Sequence, residues 1–392
     1  MKPKHSRREF LSKTVLASLA VPLMGSTLLA CNSKKENAKD LDELGTKKLK
    51  ILILGGTSFL GPHQVNYAIS RGHEVSIFTR GKTKPKLFTE VFKKVEHLIG
   101  DRENNLKALE NRTWDVVIDN SGRNVKWTKD TANLLKDNCD LYMYTSSTGV
   151  YYPYLNGNLS TDTKVALEVP EGLTEDEKYE MDYGVMKANS ELEAQKAFGF
   201  DRTTVIRPTY MLGPGDRTNR FLYWPIKLEQ GGDILVPGKK DDLVQYVDIR
   251  DVAEWFIHLA EKKQAGVYNA VGPNNAQSLI EFVTEGSKSF NKIPNFIFIN
   301  DYDFLKKNNV FYQIPWVMAD EKHYGSARVE NTKSIKNGLV FRPLKNTVID
   351  TLNWFKSENF DSERRKEYLG NENMLINREK QLLSLWKEFK NN

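Results

Sequence analysis

Along this chain, short apolar runs alternate with longer stretches in which apolar residues recur at helical spacing. From residue 49 onward, the runs at 49–54, 74–78, 95–99, 116–119, 141–145, 204–207 and 267–270 read as strands, and the stretches at 60–71, 126–136 and 183–197 read as helices between them. Strands alternating with helices predict an α/β fold, a doubly wound parallel sheet covered on both faces, with a smaller C-terminal substrate-binding lobe. No self-similarity at a period of 20 to 50 residues is present, which argues against a repeat architecture.

The first 47 residues follow a different grammar. A basic start precedes an apolar stretch from 15 to 30 that is broken by Pro22 and Gly25, and a small residue stands before Cys31. This stretch is short and interrupted for a stable membrane span, and it reads as a signal peptide. Ser6-Arg7-Arg8-Glu9-Phe10-Leu11-Ser12-Lys13 resembles the twin-arginine export motif, and Leu28-Leu29-Ala30-Cys31 resembles a lipobox with a bulky residue at Leu29. The resemblance implies cleavage before Cys31, lipidation of its thiol, and an exported lipoprotein anchored to a membrane on the cell-envelope side. Residues 32–47 carry almost no apolar content and read as a solvated linker.

The remaining boundaries follow from the element pattern: a nucleotide-binding domain over 48–210 completed by 240–271, a substrate lobe from 211–239 and 272–358, and a helical tail over 359–392. The tail reads as a charged amphipathic helix, packing on the domain or on another subunit of a homo-oligomer.

Charge changes the picture little. The net charge is +6, but residues 1–31 hold Lys2, Lys4, Arg7, Arg8 and Lys13 against Glu9 alone, so four of those charges belong to the address. The +2 left is ordinary for a soluble domain, and no nucleic-acid partner is expected. Cys31 and Cys139 sit in dissimilar surroundings and are not expected to pair. The six histidines are scattered without ligand spacing, so no metal site is assigned.

Candidate chemistry begins where the first strand ends. Gly55-Gly56-Thr57-Ser58-Phe59-Leu60-Gly61 joins that strand to a helix, the context in which backbone N–H groups cradle a pyrophosphate and the sheet becomes Rossmann-type. Gly55 permits the tight turn and Gly61 the close packing of helix on strand, while Ser58 stands where a glycine usually gives the phosphates room. At the end of the second strand, Thr79 replaces the acidic residue that would hold the adenosine ribose. Arg80 beside it could pair with a 2′-phosphate, so the cofactor is NADP or NAD with the phosphorylated form favoured; a solvated loop face is the alternative. Asp101 is a candidate for the adenine edge or a plain turn residue.

Tyr183 and Lys187 lie four residues apart on one helical face. A tyrosine titrates near 10, and a neighbouring ammonium is expected to lower that value toward a useful acid/base range while also holding the cofactor ribose. Ser147, ending the fifth strand, is placed to hold the reacting oxygen.

With these motifs in hand, residues 48–355 resemble the extended short-chain dehydrogenase/reductases, the NAD-dependent epimerase/dehydratase family. The resemblance rests on the Gly55 to Gly61 turn, Ser146-Ser147 with Val150-Tyr151, the Tyr183 to Lys187 pair, Ile206-Arg207-Pro208 leading to Gly213-Pro214-Gly215-Asp216, and Tyr246-Val247-Asp248-Ile249-Arg250-Asp251. It implies catalysis by Ser147, Tyr183 and Lys187, with Pro208 beside the nicotinamide. The Gly-Gly-Thr-x-Phe-x-Gly form of the turn is similar to an atypical branch that includes plastid RNA-binding relatives.

In sugar-nucleotide 4,6-dehydratases an acid pair follows the catalytic hydroxyl, and here Thr148 and Gly149 stand instead, which disfavours that elimination. A polar insertion at 154–181 is expected as a lid or an exposed loop. Arg220, Trp224, Tyr312 and Trp316 together suit stacking on a sugar face, although any one aromatic taken alone is more readily a core residue. The expected function is oxidation or epimerisation at a carbinol of a sugar-like molecule. Reduction of a non-sugar ketone or aldehyde, and a non-catalytic nucleotide-sensing or RNA-binding role, are the alternatives.

Overall fold

The structure, a computed structural model, describes residues 47–391 except 155–156, 312 and 318–320. Residues 1–31, read above as a signal peptide ending at Cys31, lie outside the described residues, as do residues 32–46 and Tyr312.

The strands among the described residues are β1 (Lys50–Leu54), β2 (Glu74–Thr79), β3 (Glu96–Ile99), β4 (Trp114–Asp119), β5 (Cys139–Thr145), β6 (Thr203–Pro208), β7 (Met211–Leu212), β8 (Gly232–Pro237), β9 (Leu243–Asp248), β10 (Gly266–Ala270), β11 (Gly272–Ser278) and β12 (Pro294–Ile299). The α-helices are α1 (Leu60–Ser70), α2 (Thr89–Phe92), α3 (Val125–Leu135), α4 (Glu175–Phe198), α5 (Tyr223–Gln230), α6 (Ile249–Glu261), α7 (Leu279–Ser287), α8 (Tyr302–Lys307), α9 (Thr332–Lys336), α10 (Leu344–Lys356), α11 (Ser362–Gly370) and α12 (Leu375–Asn391).

Seven strands form the central sheet in the order β10-β6-β5-β4-β1-β2-β3, with every pairing parallel. These are the seven apolar runs of the sequence. The chain builds outward from β1 through β2 and β3, then returns to β4 on the other side, which leaves a crevice at the carboxyl ends of β1 and β4.

The inner strands are mostly apolar because both their faces are buried, whereas β3 at the edge of the sheet leaves Glu96, His97 and Ile99 exposed. Ile51 and Ile53 of β1 enter one core with Val65 of α1 and Phe256 of α6, while Leu52 and Leu54 enter the opposite core with Leu135 of α3 and Phe198 of α4. The two-residue alternation of a strand therefore sorts one core from the other rather than core from water. Each such side chain contributes about 1.5–3 kcal/mol through its burial.

Helices α1 and α3 start and stop within a residue of their expected places. Helix α4 begins at Glu175, eight residues before the expected start at 183. Thr174 and Glu177 form a reciprocal capping box, and Glu175, Asp176 and Glu177 lie at the positive end of the helix dipole. Tyr183 and Lys187 accordingly lie in the interior of a long helix.

The insertion that precedes α4 is tied to the C-terminal part of the chain. Leu159 N donates to Arg328 O at 3.0 Å and Leu159 O accepts from Glu330 N at 2.8 Å, while its side chain is buried with Tyr151, Val271 and Val329.

The second lobe packs α5, α7, α10 and α12 around the parallel pair β8 and β12. Strands β7, β9 and β11 make a separate small sheet. The charged tail is two helices, α11 and α12, and α12 buries Leu382 and Trp386 in this lobe. It also buries Glu379, whose carboxylate accepts from Tyr223 Oη at 2.7 Å and Leu235 N at 3.0 Å. Among the described residues, no helix is long and apolar enough to cross a membrane.

Candidate active site

The turn after β1 is packed so tightly that its glycines are sterically required. A β-carbon on Gly55, at φ +84°, would stand 2.9 Å from Ser121 Cβ, and one on Gly61 would stand 2.6 Å from the carbonyl of Gly56. The first contact brings the turns after β1 and β4 together at the crevice. Thr57, Ser58 and Phe59 line the turn half-buried, and Leu60 is buried at the head of α1. Phe59 holds φ 58° at the N-cap of α1, where no side chain caps the helix, and its first turn carries no acidic residue. Gly61 N donates to Ser58 O at 3.3 Å and Pro62 has no N–H, so the remaining N–H groups of the turn and the helix dipole are what could receive an anion such as a pyrophosphate.

A loop from the second lobe covers this turn. Pro214 O lies 2.7 Å from Nε2 of the buried His63 on α1, and Arg217 Nη1 donates to Ser58 Oγ at 3.2 Å. At the far end of the crevice, Thr79 Oγ1 accepts from Gly81 N at 3.2 Å, and Arg80 is exposed with no polar partner among the described residues. Asp101 closes a turn, with one carboxylate oxygen accepting from Glu103 N at 2.9 Å and its backbone bonded to Asn105. Pro208 is buried at the end of β6 beside Ala270.

Ser147 and Tyr183 meet because two glycines let α4 approach the segment after β5. A β-carbon on Gly184 would stand 2.4 Å from Gly149 O, and one on Gly149 would stand 3.0 Å from the Tyr183 ring. Ser147 Oγ accepts from Gly149 N at 3.0 Å and lies near enough to Tyr183 to favour its phenolate. Tyr183 keeps 42 % of its surface exposed, so its hydroxyl is reachable from the crevice.

Lys187 is buried one turn further along α4. Its ammonium donates to Thr145 O at 2.9 Å and Gly122 O at 3.3 Å and sits 5.0 Å from the centre of the Tyr144 ring. Burial pushes its pKa down to about 8, partly offset by the field of Asp119. Asp119 is fully buried and would be raised by that burial, but Arg102 grips it with bonds of 2.8 and 2.9 Å and holds it below the ordinary carboxylate range.

This arrangement corrects one expectation. Burial raises the Tyr183 pKa, and the groups that act downward are Ser147, Arg123 and Arg220 rather than Lys187. The lysine directs its hydrogen bonds at two backbone carbonyls rather than at the phenol.

Beneath the triad lies a buried frame. Arg207 Nη2 pairs with Glu191 at 2.6 Å and Nη1 donates to Tyr151 Oη at 2.8 Å, while Ser146 donates to the same glutamate. A buried pair of this kind fixes the ends of β5 and β6 to α4, since removing either partner would leave an unpaired charge.

Of the residues read as a sugar-stacking set, Trp224 and Trp316 are core. Trp224 is wholly buried against Tyr223 and Phe282, and Trp316 packs between Tyr246 and Phe282 with its Nε1 donating to Gln245 O at 2.9 Å. Arg220 does face the crevice, its guanidinium 5.0 Å over the half-exposed ring of Tyr210. Sequence reasoning missed Arg123, Gly184, Arg217 and Tyr210, and of these only Gly184 carried a local signal, as the residue between Tyr183 and the rest of the helix. A separate cavity of about 590 Å³ is walled by Tyr246, Gln277 and Arg342, and the triad does not line it. Among the described residues, no cluster of His, Cys, Asp and Glu could hold a metal ion.

A family model described as the NAD dependent epimerase/dehydratase family matches residues 51–271. The chloroplast stem-loop binding protein of 41 kDa b from Arabidopsis thaliana is 27 % identical over 237 residues, which cover 57 % of this chain and 58 % of that protein. The match thus spans little more than half the length of that relative. The fold is similar to that of UDP-glucuronic acid 4-epimerase from Bacillus cereus in complex with NAD, with a TM-score of 0.54 at 18 % identity over 80 % of this chain and 99 % of that one. It is also similar to dTDP-glucose 4,6-dehydratase from Bacillus anthracis in complex with NAD, with a TM-score of 0.52 at 16 % identity over 79 % and 97 %.

Proposed function

The chain belongs to the NAD dependent epimerase/dehydratase family, and from that premise we propose that it is an NAD(P)-dependent oxidoreductase or epimerase acting on a carbinol of a sugar or sugar derivative. The observation that carries this reading is the meeting of Ser147 and Tyr183, with Lys187 one turn below, at the carboxyl end of β5 and facing the crevice of the β1 turn.

When bound, the dinucleotide supplies the hydride acceptor and donor. Gly55 to Gly61 and the head of α1 would hold its pyrophosphate, and Arg80 its adenosine end. Ser147 Oγ orients the carbinol oxygen and Tyr183 Oη takes the proton from it. Tyr183 must itself be deprotonated for that step, and burial opposes this; Ser147, Arg123 and Arg220 act in the opposite sense. Lys187 holds Thr145 and Gly122 in place and offers an ammonium to the cofactor ribose. Thr148 and Gly149 provide no acid pair after Ser147, so the proposal is redox or epimerisation chemistry without elimination.

We place the protein outside the cytoplasm, tethered through a lipidated Cys31, on the strength of its first 31 residues.

The test is mass spectrometry of protein purified without added nucleotide, followed by turnover on a panel of sugars. Tyr183→Phe should lose turnover and keep cofactor binding, because only the proton-transfer group is removed. Near-full activity in that variant would remove the assignment.

The plastid relative favours a second reading, binding of structured RNA. Retention of an RNA stem-loop at moderate salt, in protein that turns over no sugar or carbonyl substrate, would establish it in place of the first.

A further inference from the structure

The exposed Arg217 reaches the turn after β1 from a segment 159 residues further along the chain, where its Nη1 donates to Ser58 Oγ at 3.2 Å. A serine hydroxyl is neutral, so this bond aims the guanidinium at the turn without balancing its charge. No carboxylate lies within ion-pairing distance of Arg217 among the described residues, whereas Arg102, Arg207, Arg250 and Arg342 are all paired.

The carboxylates near the loop are engaged elsewhere, Asp248 with Arg250 and Arg342. The first turn of α1 has no acidic residue and no side-chain cap. His63 beneath the loop is held neutral, since burial pushes its pKa down to about 4. The nearest acid, Asp216, directs its carboxylate to Thr218 N and Thr218 Oγ1 at 2.8 Å. An uncompensated guanidinium and the positive end of a helix thus converge on the place where a glycine would ordinarily leave room for phosphate.

The loop that carries Arg217 is braced on both sides. Pro214 O meets His63 Nε2 at 2.7 Å, and Arg364 Nη2 of α11 donates to Asp216 O at 2.7 Å. The braces set the guanidinium over the turn as part of the fold.

We propose that Arg217, docked on Ser58, is a second-lobe clamp on the diphosphate of the dinucleotide, so that the cofactor is held from both sides and leaves only when the 213–220 loop lifts. This rests on the reading of the β1 turn as the NAD(P) site. Ser58 then compensates for the lost glycine: it narrows the turn but anchors a cation that a glycine could not hold.

The experiment measures affinity and release rate of ADP-ribose, NADH and NADPH in the full protein, with Arg217→Gln and Arg217→Lys beside the wild type. Arg217→Gln retains a donor for Ser58 and loses the charge. It should weaken ADP-ribose and both reduced cofactors by the same factor, about ten- to a hundredfold, with faster release. Its affinity should depend less steeply on salt than the wild type's, its NADPH to NADH preference should be unchanged, and its unliganded melting temperature should stay within a degree or so of wild type. Arg217→Lys should recover part of the loss. Wild-type affinity in Arg217→Gln overturns the clamp, as does a loss confined to NADPH, which would place the residue at the 2′-phosphate. If the wild type binds none of the three ligands, the NAD(P) reading fails and the clamp with it.

Discussion

Gly184 packs against the carbonyl oxygen of Gly149 so closely that a β-carbon at 184 would lie 2.4 Å from that oxygen. Backbone cannot yield at such a distance without moving one element, and the element that would move carries Tyr183. The contact therefore sets the distance from the phenol to Ser147, which belongs to a different element.

Gly184→Ala should push α4 off the segment that follows β5. The expected loss of stability is about 1–3 kcal/mol, as for other overpacked sites. The loss in kcat should be larger than stability explains, about a hundredfold, because a displacement near 1 Å disrupts proton transfer. Gly157→Ala, where a β-carbon meets nothing within 4 Å, is the control and should be silent in both urea unfolding and turnover. Unchanged kcat in a folded Gly184→Ala would show that the glycine contact does not set the catalytic geometry.

Lys187 gives the pH dependence. Burial holds its pKa at about 8 in the folded protein, below its ordinary 10.5. The ammonium is present below that value and is lost as pH rises through it, so kcat/KM should fall on the alkaline side with an apparent pKa near 8. Lys187→Arg, which does not titrate there, should move that limb upward. Stability runs the other way. Between about 8 and 10.5 the unfolded chain binds the proton that the folded chain has released, so this group's contribution to stability rises across that window. The difference in urea midpoint between wild type and Lys187→Met should shift in favour of wild type from pH 8 to pH 10.

The inner strands were legible because a strand buried on both faces is apolar along most of its length, and no tertiary knowledge is needed to see that. The glycines of the β1 turn were legible for a similar reason, since their spacing is fixed by local sterics. The start of α4 was not, because its first two turns are solvated and carry no apolar period; its capping box, Thr174 to Glu177, was the available signal. Trp224 and Trp316 could not be sorted between pocket and core, because an aromatic side chain is the same residue in either place and only its partners decide. The direction of the Tyr183 shift was misjudged on spacing alone: four residues bring Lys187 to the same helical face, but Thr145 and Gly122 receive its hydrogen bonds. Arg217 and Ser58 lie far apart in sequence, and nothing local in either announces the other.

Arg80 tests the choice of cofactor. It follows β2 exposed, without a polar partner among the described residues, and Thr79 beside it offers no negative charge. NADPH should bind more tightly than NADH, and Arg80→Ala should erase most of that preference while leaving ADP-ribose affinity within about twofold. Tighter binding of NADH, unaffected by the substitution, would reverse the assignment.

The N-terminal address has its own test. We expect Cys31→Ala to release the protein from the membrane fraction, because acyl chains on that thiol would supply the anchor. Exchanging both Arg7 and Arg8 for lysine should stop export while leaving the folded domain unchanged by circular dichroism. Unaltered fractionation of both variants would return the protein to the cytoplasm.

Location, if it is as proposed, constrains the chemistry. Outside the cytoplasm a free pool of nicotinamide dinucleotide or of nucleotide-activated sugar is not at hand, so an enzyme there does best by keeping one cofactor and returning the hydride within each cycle. Export in the folded state allows that cofactor to be loaded beforehand, and a guanidinium clamped over the diphosphate is suited to retaining it. Epimerisation, or paired oxidation and reduction of two sugars, closes such a cycle; net dehydrogenation leaves reduced cofactor behind and needs a further electron acceptor. Purified protein should therefore carry NAD(P) and act on free or glycosidic sugars with no nucleotide added. Incubation with a sugar panel in ordinary and in deuterated water, followed by NMR, should reveal inverted stereochemistry without deuterium at the inverted carbon, because the hydrogen travels as hydride and never exchanges with solvent. Complete dependence on added NAD(P)H, with one cofactor consumed per product, would instead identify an ordinary reductase working where that cofactor is replenished.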